Sequence, residues 1–152
     1  EQGELDFVVL EGVFNKARYD SFLLRNEPYI GICPPGHPLD GQTISPEALL
    51  GQRLILREEG SGTRDLLERS LAQCGYTVGA FSGTVCVSSF KIIRELVCAG
   101  YGISFVYAAV AADLPAPGRF FCPPLTGSHE LNAVWLKGTD AGALARAFAA
   151  GL

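Results

Sequence analysis

The chain has 152 residues, with 12 Lys and Arg against 16 Asp and Glu, a formal net charge of −4, and 48% hydrophobic and 18% charged residues. That composition can bury a core and excludes a disordered tail, which lacks the apolar residues to offset ordering entropy. No apolar run approaches the roughly 18 to 20 residues that span a bilayer, and dispersed cations on an acidic chain make a poor non-specific nucleic-acid binder.

Short apolar runs alternate with amphipathic stretches along the chain. Residues 5–10 (LDFVVL) form an almost continuous apolar run, the pattern of a buried strand. Residues 22–24 and 29–33 read as two extended segments, the second halted by Pro34-Pro35-Gly36. Ser45, Pro46 and Glu47 supply a cap, a first-turn proline and a first-turn acid for a short helix that Gly51 ends. Residues 54–56 are the next strand, and residues 58–62 a tight loop. A helix follows over about residues 63–74, with Leu66, Leu67 and Leu71 on one face and Gly75 as its stop.

Residues 81–87 read as a strand. Ser88 or Ser89 then caps a helix whose Ile92, Ile93, Leu96 and Val97 form a buried stripe, with Gly100 at its end. Residues 103–106 are a strand, followed by a short Ala-rich helix to about Asp113 and a turn-rich connector, LPAPG. Late strands fall at residues 120–121 and 131–136, and a terminal helix at residues 141–152. This alternation predicts an α/β fold with mostly parallel sheets.

The five cysteines (Cys33, Cys74, Cys86, Cys98 and Cys122) are odd in number, contain no CxxC pair and sit mostly in apolar stretches. They read as buried packing residues in a reducing cytoplasm. Methionine is absent, and the chain opens on a buried-type strand that needs neighbours on both sides. The expectation is a piece of a longer protein, with part of the fold upstream.

In parallel α/β sheets ligands gather where strands end and helices begin, because unpaired helix N–H groups converge there. Two junctions qualify. In Glu58-Glu59-Gly60-Ser61-Gly62-Thr63-Arg64 the glycines permit close backbone approach, Ser61 and Thr63 add hydroxyls, and Arg57 and Arg64 add positive charge. That composition suits a small carboxylate, sulfate or phosphate. It lacks the glycine spacing and Lys of a Walker loop. The plainer reading makes Thr63 only a helix cap. The second junction, Val87-Ser88-Ser89, again puts two hydroxyls at a helix start, of which capping explains one.

Catalysis is not expected, nor is a cofactor or a metal. No GxSxG elbow occurs, and His37 and His129 lie in Gly- and Pro-rich turns without metal-ligand spacing.

Four segments, in order, resemble the effector-binding domain of LysR-type transcriptional regulators. They are residues 3–9 (GELDFVV), 28–39 (PYIGICPPGHPL), 57–64 (REEGSGTR) and 89–104 (SFKIIRELVCAGYGIS), and they extend the likeness to about Leu136. Lys91 departs from the family's usual Glu. The resemblance implies a periplasmic-binding-protein-like fold of two lobes with a small metabolite, often anionic, held between them. Residues 28–130 would form the second lobe, and residues 1–27 with 131–152 an incomplete first lobe.

Cleft residues carried over by the resemblance are Ser61, Gly62, Thr63, Ser88 and Ser89, with Leu10, Glu11 and Gly12 from the first lobe. It also implies a homo-oligomer that meets DNA only through a helix-turn-helix outside this chain, and no membrane partner. Two other readings share the scaffold. A solute-binding transport protein is opposed by the unpaired cysteines, and a dehydratase-like enzyme would have to use Glu11 as its base.

Overall fold

The computed structural model describes residues 8–11, 16–139 and 141–150. In chain order these form β1 (Val8–Glu11), β2 (Tyr19–Cys33), α1 (Pro46–Leu49), β3 (Arg53–Leu56), α2 (Gly62–Gln73), β4 (Gly83–Cys86), α3 (Phe90–Cys98), β5 (Ser104–Tyr107), α4 (Ala108–Ala111), β6 (Gly118–Phe120), β7 (Gly127–Leu136) and α5 (Ala141–Ala150). The chain divides into two compact units, residues 1–27 with 128–152 and residues 28–127.

In the first unit β1 runs antiparallel to β7, with Val8 opposite Val134 and Glu11 opposite Leu131. Ala133 and Trp135 of β7 pack with Ala141 and Ala145, one turn apart on α5. The Arg146 guanidinium lies 5.7 Å from the Phe22 ring centre and 5.6 Å from that of Trp135, so a cation covers the aromatic pair.

The second unit is built on β3 and β4, which pair in parallel with Leu54 opposite Thr84. A parallel bridge joins Leu54 to Ile103, just ahead of β5. β5 pairs antiparallel with the end of β2 (Tyr29 opposite Tyr107, Ile32 opposite Ser104), and β6 pairs antiparallel with that same end of β2 (Gly31 opposite Phe120). The parallel portion is therefore β3 with β4 and the Ile103 bridge, whereas β5 and β6 pair antiparallel with β2 and β1 with β7. The sheets are mixed rather than mostly parallel, because the long β2 and β7 bring antiparallel neighbours that helix–strand alternation does not reveal.

Strand alternation sorts the core into two faces. Tyr29, Cys33, Leu54, Leu56 and Phe105 lie on one with Leu67 and Leu71 of α2. Ile30, Ile32, Ile55 and Val106 lie on the other with Ile93 and Val97 of α3. Burial on both faces explains why β3 and β5 read as continuous apolar runs.

Several expectations need correction. The two extended segments at residues 22–24 and 29–33 are one strand of 15 residues, because pairing carries the polar Arg25-Asn26-Glu27 stretch along. β7 begins at Gly127, ahead of the apolar residues 131–136, for the same reason. Ile92 is 46% exposed and outside the buried stripe of α3, whereas Arg94 is buried. Its Nη1 donates to the carbonyl of Val110 at 3.1 Å and its Nη2 to that of Leu114 at 3.3 Å. The guanidinium thus satisfies carbonyls at the end of α4, which the sequence pattern hides because it is a long-range pairing. Residues 5–7 of the predicted first strand and residues 151–152 of the terminal helix lie outside the described residues.

Gly31 marks a close approach. A Cβ there would run into the Phe120 ring on the neighbouring strand. Gly31→Ala is expected to cost about 1 to 3 kcal/mol by overpacking, measured by urea denaturation. Phe120→Leu in the same chain should recover part of that loss, and an unchanged loss would show that the ring is not the obstacle.

Candidate functional site

Because β3 and β4 are parallel, the chain leaves both at the same edge and enters α2 and α3 there. Ser61 N–H donates to the Glu58 carbonyl at 3.2 Å, closing the turn after β3. Gly60 sits in that turn at φ 90°, a conformation that side chains rarely adopt. Helix α2 opens at Gly62 with Ser61 as its N-cap residue, although the Ser61 side chain makes no capping bond. The reading of Thr63 as the cap is thereby corrected. Thr63 lies inside the first turn and is 7% exposed. At the second junction Ser89 is the N-cap of α3, and its hydroxyl accepts the Ile92 N–H at 3.4 Å. Ser88 is exposed.

A shallow, solvent-open concavity lies at this edge, its enclosed part about 10 Å³, room for about one water molecule. Its polar lining comes from Tyr29, Arg57, Thr63, Arg64 and Ser104, and Phe90, Leu67, Ile93 and Phe105 supply apolar wall. Of the residues singled out from sequence, Thr63 faces it, together with the two arginines. Ser61, Gly62, Ser88 and Ser89 belong to the helix starts beside it and are not part of its lining. Leu10 and Glu11 lie on β1 opposite Asn132 and Leu131, and Gly12 lies outside the described residues.

Tyr29, Phe90, Ser104 and Phe105 are among the lining residues that were not singled out as site candidates from sequence. Phe90 directly follows the Ser88-Ser89 pair, a cue that was available. Tyr29, Ser104 and Phe105 sit in strands that read only as core, and tertiary pairing brings them here. The Tyr29 hydroxyl donates to the Thr63 carbonyl at 3.4 Å, and the Ser104 hydroxyl donates to the Ile55 carbonyl.

The arginines are already engaged. Arg57 Nε meets Glu58 Oε1 at 2.9 Å and its Nη2 meets Oε2 at 3.3 Å, and its guanidinium carbon lies 4.5 Å from the Phe90 ring centre. The Arg57 hydrogen bond holds the Glu58 carboxyl below the usual carboxylate range. Arg64 Nε meets Glu68 Oε1 at 3.2 Å, its Nη2 lies 3.8 Å from Glu59 Oε1, and its Nη1 donates to the Arg57 carbonyl at 3.1 Å and to Cys86 Sγ at 3.3 Å. Three carboxylates, Glu58, Glu59 and Glu68, thus face two guanidiniums. An incoming anion has to compete for these cations.

Among the described residues no group of three His, Cys, Asp or Glu side chains is placed to hold a metal ion, and no helix is long and apolar enough to cross a membrane. Cys86, beside Arg64, is exposed, whereas Cys33 and Cys122 are buried. Burial, with Asp40 adding repulsion, pushes the Cys33 thiol up to about 12, and burial pushes Cys122 up to about 11.

Ser89→Ala is expected to cost about 1 kcal/mol, since it removes a capping acceptor, whereas Ser61→Ala should cost a few tenths. Urea denaturation of the two variants checks this, and equal losses would contradict the capping assignment. At pH 8 both buried thiols stay protonated, so iodoacetamide should label Cys86 in the folded chain and reach Cys33 and Cys122 only in denaturant. Peptide mass spectrometry reads the sites, and labelling of Cys33 in the folded chain would refute its burial.

Comparison with known proteins agrees with this architecture. The sequence profile of the LysR substrate binding domain matches residues 1–152. The HTH-type transcriptional regulator CbbR of Xanthobacter flavus is 34% identical over 99 residues, 64% of this chain and 29% of the regulator. The regulatory domain of Synechocystis CcmR in complex with 2-PG superposes with a TM-score of 0.81 at 19% identity, covering 95% of this chain and 70% of that one. The effector-binding domain of QuiR in complex with shikimate superposes with a TM-score of 0.73 at 18% identity, covering 96% and 70%. The chain spans about a third of the length of the curated relatives it matches. A profile match over the whole chain, on a periplasmic-binding-protein-like fold shared with LysR effector-binding domains, establishes that this chain belongs to the LysR substrate binding domain family.

Proposed function

We propose that this chain is the effector-sensing part of a LysR-type transcriptional regulator and that its effector is a small anionic metabolite. The observation that carries the reading is the concavity where Thr63 of α2 and Phe90 of α3 meet the guanidinium groups of Arg57 and Arg64. Helix N-termini carry unpaired N–H groups and the positive end of the helix dipole, so two of them beside two arginines favour a negative ligand. The structural neighbours in complex with 2-PG and with shikimate support a small-molecule role for this fold.

Within this proposal Thr63 contacts the ligand. Ser61, Gly62, Ser88 and Ser89 shape the helix starts beside it, and Leu10, Glu11 and Gly12 are proposed as effector-binding residues on the family resemblance alone. The ligand acts by population shift. It binds one arrangement of the regulator better than the other, and only that differential affinity moves the equilibrium. DNA contact and homo-oligomerisation belong to the whole regulator, of which this chain is the sensing portion. The place of action on this reading is the cytoplasm, where the DNA is.

The test is thermal denaturation of the chain against a panel of small carboxylates and phosphate esters. A ligand present at about 100 times its Kd adds about 2.7 kcal/mol, which raises Tm by about 5 to 10 °C in a chain of this size. Thr63→Val should weaken the active compound about tenfold by removing one hydrogen-bonding group, with unliganded stability within about 1 kcal/mol of the parent. A panel without any Tm shift, or a ligand indifferent to Thr63→Val, would overturn the reading.

A further inference from the structure

The two arginines of the concavity differ in how they are held. Arg64 is tied to Glu68, Glu59, the Arg57 carbonyl and Cys86. Those contacts join the loop after β3 to α2 and to the end of β4, and an anion that took this guanidinium would have to break several at once. Arg57 is held in another way. Its guanidinium carbon lies over the Phe90 ring, 4.5 Å from the ring centre, and the Nε–Nη2 edge donates to both oxygens of one carboxylate, that of Glu58, at 2.9 and 3.3 Å. Guanidinium donors point outward in the plane of the group, so stacking the face on an aromatic ring leaves the edge free for a planar anion.

Glu58 is the adjacent residue in sequence and its side chain is half exposed. An ion pair of that kind contributes little to stability, so releasing it costs the fold little. Its tether to the same loop nevertheless keeps a competing carboxylate at high local concentration.

We propose that Arg57 is the residue that recognises the anionic group of the effector, and that Glu58 occupies its bidentate edge as a stand-in until the effector displaces it. This rests on the sensing role proposed above and adds the chemical class of the ligand, a group with two oxygens disposed to bridge a guanidinium edge. Carboxylate and phosphoryl groups both have that geometry. Displacement conserves the hydrogen bonds of Arg57, since two oxygens replace two oxygens and the freed Glu58 carboxylate is taken up by water. The tethered competitor sets a threshold, because the effector binds only at concentrations that outcompete it. The depressed carboxyl of Glu58 agrees with a pair that stays charged at neutral pH.

The experiment follows the Arg57 side-chain Nε–H resonance of the nitrogen-15-labelled chain by NMR during separate titrations with sodium phosphate and sodium acetate at constant ionic strength. Glu58→Gln should tighten anion binding about fivefold. Glu59→Gln makes the same charge change beside Arg64 and should give a clearly smaller gain. Arg57→Lys, followed on the backbone amides of Thr63 and Ser104, keeps the charge but loses the fork, and should weaken binding about tenfold; adding Glu58→Gln to it should then bring no gain.

Equal tightening by Glu58→Gln and Glu59→Gln would reduce the effect to net charge and overturn the proposal. An Arg57 response to acetate and phosphate alike identifies the shared two-oxygen group, and a response to phosphate alone identifies a phosphorylated ligand. Anions that shift the backbone amides of Thr63 and Ser104 without moving Arg57 Nε–H overturn the stand-in and leave the concavity as the sensing site. Anions that shift neither overturn both. If Arg57→Lys fails to fold, the comparison of Glu58→Gln with Glu59→Gln still decides.

Discussion

The end of β2 is the constraint on which the second unit depends. Its last residues, Tyr29 to Cys33, are hydrogen-bonded to β5 and to β6, and their side chains alternate into both core clusters. A strand held in this way cannot slip by one residue without sending every side chain to the wrong face. Tyr29 carries that constraint outward. Its ring lies 5.4 Å from that of Tyr107 and 6.5 Å from that of Phe105, and its hydroxyl reaches the Thr63 carbonyl. The first turn of α2 is therefore referenced to the core, and Thr63 is held beside the concavity by a residue 34 positions earlier in the chain.

From that anchor the site follows by geometry. Parallel pairing of β3 with β4 sends both connections to one edge, where α2 and α3 begin. The helix starts bring partial positive charge, Arg57 comes from the loop after β3 and Arg64 from the first turn of α2, each with a carboxylate partner. Three carboxylates, Glu58, Glu59 and Glu68, meet those two guanidiniums there. On the proposed reading, selectivity comes from which pairs can be exchanged, and the exposed Arg57 pair differs from the networked Arg64 in that respect.

Much of the architecture was readable from local pattern. The runs at residues 54–56 and 103–106, the Leu67 and Leu71 stripe and the Gly75 and Gly100 stops fall where strands and helices occur, because burial on one or two faces writes a periodicity into the chain. Errors came where pairing overrides composition. Polar residues at positions 25–27 and 128–130 lie within strands because β2 and β7 are neighbours in the sheet, and pairing, not composition, sets the limits of a strand. Arg94 broke the expected stripe of α3 because carbonyls of residues 110 and 114 receive its charge.

The candidate site was legible to a lesser degree. Hydroxyls and glycines at a helix start mark a junction in any α/β sequence, and through Thr63 they pointed to the edge of the sheet where the concavity lies. They did not distinguish a capping hydroxyl from one that faces a cavity. Ser89 caps, Ser61 occupies the cap position without a side-chain bond, and Thr63 is buried beside the concavity. By itself the sequence determined the fold class, the alternation of elements and the two junctions, because periodicity, glycine stops and caps are properties of neighbours in the chain. Only the tertiary structure decided which hydroxyl and which arginine face open space, because Tyr29, Phe90, Cys86 and Ser104 reach the edge through pairings tens of residues long, and long-range pairing leaves no mark on local composition.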